Sequence, residues 1–438
     1  MNHSDRTRTI ARIASYIVAG ILVLLPFHAV FTTWLGANFG YIDLFRIWKE
    51  LIIFGLLLPL ALYIAWSDSA IRRWTRSSWL ATLLLFYVVL HLLIGYMALV
   101  QHAVTPVAFV YALLINLRFL GFFVIVTVFV SHSDFLMKHW RTIIIGPAVV
   151  VIVFGLLQLV LPYNFLEHLG YGPHTIPAYQ TVDQKLQYRR IQSTLRGANP
   201  LGAYLVLLLP LLVVGVRSTS RRWVLGVAGV LTLLFTYSRS AWLGLVVTAA
   251  ILVYWKTNAR SRRIVFAAAA LMVVLGVAGV FAFRNSNVVQ NSLFHTDETS
   301  RSSVSSNASR LYQIKQATKD VVHEPLGRGP GTAGPASFRN DKPARIAENY
   351  FLQIGQEVGV MGVVTFICIN LLVVRALWRQ RSLALARVLL ATWAGITLIN
   401  LVSHAWSDDT LVYLWWGLAA MVAAPAILNE KRKRYAKK

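Results

Sequence analysis

Apolar runs of membrane-crossing length dominate this chain. About twelve stretches approach the roughly 20 consecutive apolar residues that cross a bilayer core. They lie near 10–32, 49–66, 79–100, 107–131, 142–161, 200–216, 222–237, 240–255, 263–283, 349–374, 383–403 and 410–428. The pattern excludes one large soluble domain and predicts an all-α polytopic membrane protein with about twelve transmembrane helices. Composition agrees: 57% of the 438 residues are hydrophobic and 13% are charged, against roughly 25% charged in soluble domains.

Lysine and arginine number 42 against 17 aspartates and glutamates, a formal net charge of +25. In a soluble protein that excess would point to nucleic acid. Here it falls mostly in short loops and at the termini, where membrane orientation and anionic lipid account for it, so no nucleic-acid partner is expected. One set of loops holds Arg72, Arg73 and Arg76; Lys138 and Arg141; Arg217, Arg221 and Arg222; Lys256, Arg260, Arg262 and Arg263; and Arg375, Arg379 and Arg381. The tail KRKRYAKK belongs with them, and the positive-inside rule puts this set and both termini in the cytoplasm. Segments 33–48, 101–106, 162–199, 237–240, 284–348 and 404–409 then face outward. The single cysteine, Cys368, lies inside an apolar run, leaving no intramolecular disulfide framework and no thiolate zinc site. Arg6, Arg8 and Arg12 lead into an apolar stretch without a small-residue cleavage site, the pattern of a signal anchor.

The whole of 1–438 reads as one transmembrane domain with two long outer loops, 162–199 and 284–348. Structureless loops beyond about 15 residues are uncommon unless functional or disordered. RSSVSSNAS at 301–309 has a linker composition. After it, Leu311, Ile314, Thr318, Val321 and Val322 recur near helical spacing. They predict a short amphipathic helix over the membrane surface, with Arg310 in its first turn and an end at Pro325. GRGPGT at 327–332 lacks the Lys-Ser/Thr of a P-loop, so a nucleotide site there has little support.

Arg190, Arg239 and Arg310 each stand at or just beyond the outer end of an apolar run, where positive charge is normally depleted. A guanidinium is a planar, permanently charged fork that fits phosphate oxygens. Such a cluster suits an anionic head group such as a lipid-linked phosphate. Arg189, Arg190 and Arg196 precede a run that begins Asn199-Pro200, read as N-cap and first helical residue. Their alternative is to snorkel toward lipid head groups, and for Arg189 the two readings balance. Arg239 sits in a tight turn between two runs, where a charge is usually functional or paired. Arg118, deeper in its run, pairs with an acid or a carbonyl or interrupts the helix.

Glu348 stands where the large outer loop re-enters the membrane. The helix N-terminus favours its charged form and desolvation its neutral form. It suits proton abstraction from a hydroxyl, or simple helix-terminal charge. Glu357, more than two turns deeper, reads as a buried structural carboxylate with an arginine or backbone partner. His404, Asp408 and Asp409 share an outer loop and suit an acid–base cluster, a metal site or, preferably, a helix cap for one aspartate. No further ligands at metal spacing accompany them, so no metal is expected.

Four segments occur in order: RIQSTLRGANPLG (Arg190 to Gly202), YSRSAWLG (Tyr237 to Gly244), SRLYQIKQA with HEPLGRGPG (Ser309 to Gly331), and ENYFLQIGQEVGVMG (Glu348 to Gly362). Together they resemble the O-antigen ligase and Wzy-type O-antigen polymerase superfamily of bacterial envelope glycan enzymes. The resemblance covers roughly 180–420. It implies a GT-C-like glycosyltransferase of the bacterial inner membrane whose large periplasmic loop carries short helices. Such enzymes take a glycan from undecaprenyl pyrophosphate on the periplasmic face to an acceptor hydroxyl, without a metal or other cofactor. By motif, Arg190, Arg239 and Arg310 would hold the pyrophosphate, with Arg196 beside them, and Glu348 would act as base. Asn349, Tyr350, His404 and Asp408 would support it. Ligases usually carry a histidine where this chain has Glu348, an acidic choice familiar among polymerase-like relatives.

The leading expectation is therefore inverting transfer of an oligo- or polysaccharide from its lipid-linked donor to a glycan or lipid-linked acceptor, with membrane lipid as surroundings. A transporter or flippase of an anionic or polyprenyl-linked lipid is the alternative. It would distribute charges through its spans, whereas these gather toward one face. A lipid-binding scaffold is a third reading.

Overall fold

The computed structural model describes residues 3–182, 185–258, 260–261, 263–264 and 306–428. The expected span at 263–283 beyond its first two residues, the loop through 305 and the KRKRYAKK tail lie outside the described residues.

The described chain is almost wholly helical. Helix α1 (His3–Leu24) passes through a 3-10 turn into α2 (His28–Phe39). Two short helices, α3 (Ile42–Arg46) and α4 (Trp48–Glu50), lead through π-helical backbone (Leu51–Leu57) into α5 (Leu58–Ser67) and α6 (Ser69–Ser77). Next come α7 (Trp79–Val100), α8 (Pro106–Val130) and α9 (Phe135–Leu157). The 162–199 loop holds a 3-10 turn and an antiparallel pair, β1 (Gln180–Val182) and β2 (Lys185–Arg190). Then follow α10 (Ala198–Gly215), α11 (Thr219–Leu234), α12 (Arg239–Lys256), α13 (Ser306–His323), α14 (Tyr350–Arg379), α15 (Ala384–Asn400) and α16 (Asp409–Leu428).

Among the described residues, 8 segments are long and apolar enough to cross a membrane: Asp5–Phe39, Trp48–Ser67, Trp79–Val100, Pro106–Val130, Phe135–Leu157, Ala198–Gly215, Tyr350–Arg379 and Asp409–Leu428. They fall on eight of the expected runs, so the chain is a polytopic helical membrane protein. Of the remaining runs, 383–403 forms the shorter apolar helix α15. The runs at 222–237 and 240–255 form α11 and α12, of 16 and 18 residues with charged ends.

The core centres on α16 and α10, whose apolar windows are 83% and 78% buried. Both are apolar all round, as a helix must be when protein surrounds it. Aromatic edges lock α16 to α8, with Phe122 and Tyr413 ring centres 5.0 Å apart and Phe119 and Trp416 4.7 Å apart. Helix α12 meets α15 through small residues. A Cβ at Gly395 would lie 2.3 Å from Thr248 Oγ1 and 2.4 Å from the Gly244 carbonyl oxygen. Close backbone approach of this kind is the usual basis of helix association in lipid, and it seats the helix headed by Arg239.

Helix α14 is broken at Val358 and Gly359, the latter at φ 69°. The PLGRGPG stretch fills the break. Val360 N–H donates to Pro325 O at 2.9 Å, Arg328 N–H to Gln356 O at 2.9 Å and Gly329 N–H to Glu357 O at 2.8 Å. Bonds lost at the break are thereby replaced. The fully buried Glu357 carboxylate accepts from Gly331 N–H at 2.8 Å and from Asn116 Nδ2 at 2.7 Å. Its partners are backbone and amide. The glycine-rich loop thus serves as a structural plug for α14.

The amphipathic helix predicted after Ser309 is α13, which begins at Ser306 and ends at His323, two residues before Pro325. Ala317 is buried, whereas Leu311, Thr318 and Val322 are exposed. Its inward face meets a glycine and an amide of α14. Val321 lies 2.7 Å from where a Cβ on Gly355 would stand, and Gln356 Nε2 donates to Asp320 at 2.8 Å. Arg310 lies one turn inside α13.

Candidate functional site

Local backbone sets the site. Of the five non-glycine residues with positive φ among the described residues, three stand in the segments carrying the candidate arginines and carboxylate: Ser193 (51°), Tyr237 (51°) and Glu348 (49°). Such conformations cost about 1–3 kcal/mol each and gather at functional sites.

Arg190 is the last residue of β2, paired in register with Gln180. Ile191 N–H donates to Phe235 O at 3.1 Å, which ties the strand end to the α11–α12 turn. Arg190 itself donates from Nε to Thr236 O at 2.8 Å and from Nη2 to Asn199 Oδ1 at 2.5 Å. Asn199 is therefore not the N-cap expected, and Pro200 is not the first helical residue. Helix α10 starts at Ala198 with Gly197 as N-cap. The Gln180 side chain accepts from Ala198 N–H at 3.1 Å, which frees Asn199 for Arg190. Arg189 turns elsewhere, donating to Leu161 O at 2.7 Å and Pro162 O at 3.3 Å.

Arg239 heads α12, three residues beyond Thr236. Burial, followed by the positive charges of Arg310 and Arg239, pushes Arg190 down to about 10. Arg190, at the end of β2, therefore lies within electrostatic reach of both Arg239 on α12 and Arg310 on α13. The Arg310 Nε lies 3.6 Å from Glu348 Oε2. Glu348 precedes Asn349, which caps α14 by accepting from Leu352 N–H at 3.0 Å.

The loop between α15 and α16 closes the site. Asn349 Nδ2 donates to Leu401 O at 2.9 Å, and Tyr350 N–H to Ser403 O at 3.1 Å. Tyr350 is buried, with its ring 5.5 Å from Phe366, so it anchors this segment. Burial lowers His404 below the usual histidine range; Glu348 opposes the shift, and Arg196 and Arg310 add to it. Arg196 Nε donates to Asp408 Oδ2 at 2.9 Å. Asp408 also caps α16, accepting from Leu411 N–H at 3.2 Å. Burial raises its pKa while Arg196 holds it back. The structure thus brings Arg190, Arg239, Arg310, Glu348, His404, Arg196 and Asp408 into one neighbourhood.

Beneath it lies a buried ionic cluster that the sequence does not announce. Lys49 Nζ is 2.9 Å from Asp409 Oδ2 and 3.2 Å from Glu50 Oε2. His28 Nε2 is 3.2 Å from the same Asp409 oxygen. Trp48 Nε1 donates to His28 Nδ1 at 3.0 Å, and Lys49 Nζ lies 3.1 Å from His28 Nε2. Arg118 resolves as a paired group within an unbroken α8, with Glu50 Oε1 at 3.8 Å and Nη2 on the Ser407 carbonyl. It thereby holds the loop that carries His404 and Asp408. The available signal was the adjacent pair Lys49-Glu50 at the mouth of an apolar run.

A groove of about 530 Å³ is walled by Leu159, Val160, Tyr163, Leu186, Arg189, Phe235 and Tyr237 among others. It is mostly apolar and shares the α11–α12 turn with Arg190.

No curated protein matches the chain. Residues 224–367 match the family model described as O-antigen ligase, about a third of the chain, including Arg239, Arg310 and Glu348. Over that segment the chain is similar to O-antigen ligases, and its apolar helices agree with a multi-pass membrane protein.

Proposed function

We propose that the chain moves a glycan from undecaprenyl pyrophosphate to an acceptor hydroxyl, as one GT-C-like transmembrane domain. Its site would face the periplasm and both termini the cytoplasm of the bacterial inner membrane. The outer loops 162–199 and 284–348 would cover that site. Glu348 takes the proton of the acceptor hydroxyl. The oxygen attacks the anomeric carbon from the face opposite the pyrophosphate, so configuration inverts. The bond from that carbon to the phosphate oxygen breaks, its electron pair stays on the pyrophosphate, and Arg190, Arg239 and Arg310 stabilise that charge. His404 and the Arg196–Asp408 pair flank the carboxylate. The apolar groove beside the α11–α12 turn suits the first isoprene units of the donor.

The observation that carries this reading is Arg310 Nε at 3.6 Å from Glu348 Oε2, with Arg190 close enough to feel Arg310 and Arg239. A base and a phosphate grip share one place, as transfer requires. Reconstituted vesicles supplied with labelled polyprenyl-pyrophosphate oligosaccharide and acceptor test it. Covalent appearance of label on the acceptor is the expected result. Label that crosses the bilayer unchanged overturns the enzyme reading in favour of a flippase.

A further inference from the structure

A second basic cluster lies at the other end of α9. The C-terminal end of α9 is tied to the turn that follows Arg190, because Gln158 Oε1 accepts from Ser193 N–H at 2.8 Å. Its first residue, Phe135, lies 23 residues away, about 34 Å at 1.5 Å per residue. There the ends of α1 and α9 enclose a concavity of about 630 Å³. Arg8 and Arg12, one turn apart on α1, line it with Lys138 and His139 of α9. Residues at this spacing share one helix face. Asp134 is the one carboxylate among the lining residues, and Lys138 Nζ already meets it at 2.5 Å. Arg12 Nε donates to Tyr16 Oη at 3.1 Å, and the Tyr16 ring packs on Phe135 at 4.4 Å, giving the cationic rim an aromatic base. The N-terminus of the 23-residue α9 opens into the same space; Ser133 Oγ accepts from Phe135 N–H at 3.4 Å, and Asp134 makes no side-chain cap bond.

We infer that this pocket binds the phosphodiester head group of an anionic phospholipid, gripped by Arg8 and Arg12 and oriented by the α9 N-terminus. Positive charge exceeds negative on its walls, and basic pockets between helices at the cytoplasmic surface favour anionic head groups. Helix N-termini add donors and a positive field. An aromatic base beside apolar helices suits the glycerol and upper acyl chain, which a free phosphate lacks. Occupancy is independent of glycosyl transfer, because the arginine–glutamate site lies a bilayer thickness away.

Delipidated full-length protein is titrated by native mass spectrometry with phosphatidylglycerol, cardiolipin, phosphatidylcholine and inorganic phosphate. The two anionic lipids are expected to bind in preference to phosphatidylcholine and to resist displacement by inorganic phosphate. Arg8→Ala/Arg12→Ala is expected to weaken anionic-lipid binding about thirtyfold, and Arg12→Gln alone about fivefold. Arg72→Ala/Arg73→Ala, on α6 outside the pocket, is expected to bind as the unaltered protein does. Unchanged binding in Arg12→Gln overturns the site even if the double variant fails to fold. Equal loss in the α6 variant reduces the effect to general surface charge and overturns it as well. Displacement by inorganic phosphate at matching concentration overturns a lipid as the occupant.

Discussion

Arg310 and Glu348, 38 positions apart, form an ion pair with Nε to Oε2 at 3.6 Å. The two side chains retain 31% and 25% exposure. A partly solvated pair contributes at most about 1 kcal/mol. The contact is therefore weak enough for a phosphate to replace at little cost. In the proposed reaction, Arg310 would turn to the bound pyrophosphate and leave the Glu348 carboxylate to face the acceptor.

Arg190 has two fixed bonds, to Thr236 O and Asn199 Oδ1, which aim its fork. Arg190→Ala is expected to lower kcat/KM for a lipid-linked donor by about 10²- to 10³-fold, the usual effect of removing one donor to developing negative charge. Arg190→Lys should restore little, because an ammonium cannot span both acceptors and still reach phosphate. Steady-state kinetics of both variants check this.

His404 offers a test with a defined sign. Burial, Arg196 and Arg310 lower its pKa below the free value of 6.5, and Glu348 opposes them. The imidazole is thus neutral at pH 7. As pH falls through the free value, an unfolded chain would take up the proton before the folded one, so this residue's contribution to stability declines on acidification. Imidazole NMR should find His404 titrating below 6.5, and lower again in Glu348→Gln, where the opposing charge is gone. A titration above 6.5 would contradict the placement of these groups.

The ends of apolar runs made Arg190, Arg239, Arg310 and Glu348 legible, because charge at a membrane boundary stands out in one dimension. Asn199 was misread as a cap for a tertiary reason: Gln180 reaches across the hairpin to cap α10. The contacts of α13 with α14, Val321 on Gly355 and Asp320 on Gln356, are tertiary and leave no mark in the apolar spacing of the helix. The Lys49–Glu50–Asp409–His28 cluster joins residues far apart in the chain, and periodicity carries no record of such pairing.

Gly359 allows the α14 break. Its φ is 69°, and an added Cβ would lie 2.2 Å from Pro325 O. Gly359→Ala is expected to destabilise the protein by about 1–3 kcal/mol by expelling the PLGRGPG loop. Thermal unfolding in detergent, together with faster proteolysis near Arg328, would report it.

The buried cluster should behave as a unit. Lys49→Met leaves Glu50 and Asp409 without their shared cation, a change that costs about 3–5 kcal/mol when a buried pair is broken. Lys49→Met/Asp409→Asn removes one of the stranded charges, leaves Glu50 with Arg118, and should recover part of that loss. A double-mutant cycle on thermal stability measures the coupling, and additive effects would contradict it.

The most direct test of the account is single-turnover transfer by Glu348→Gln, measured beside equilibrium binding of the polyprenyl-pyrophosphate donor. Donor binding is expected within a few-fold of the unaltered protein, with transfer slowed by about 10²- to 10⁴-fold, the range for loss of a general base. Transfer at the normal rate with the donor still bound would show that Glu348 does not take the proton.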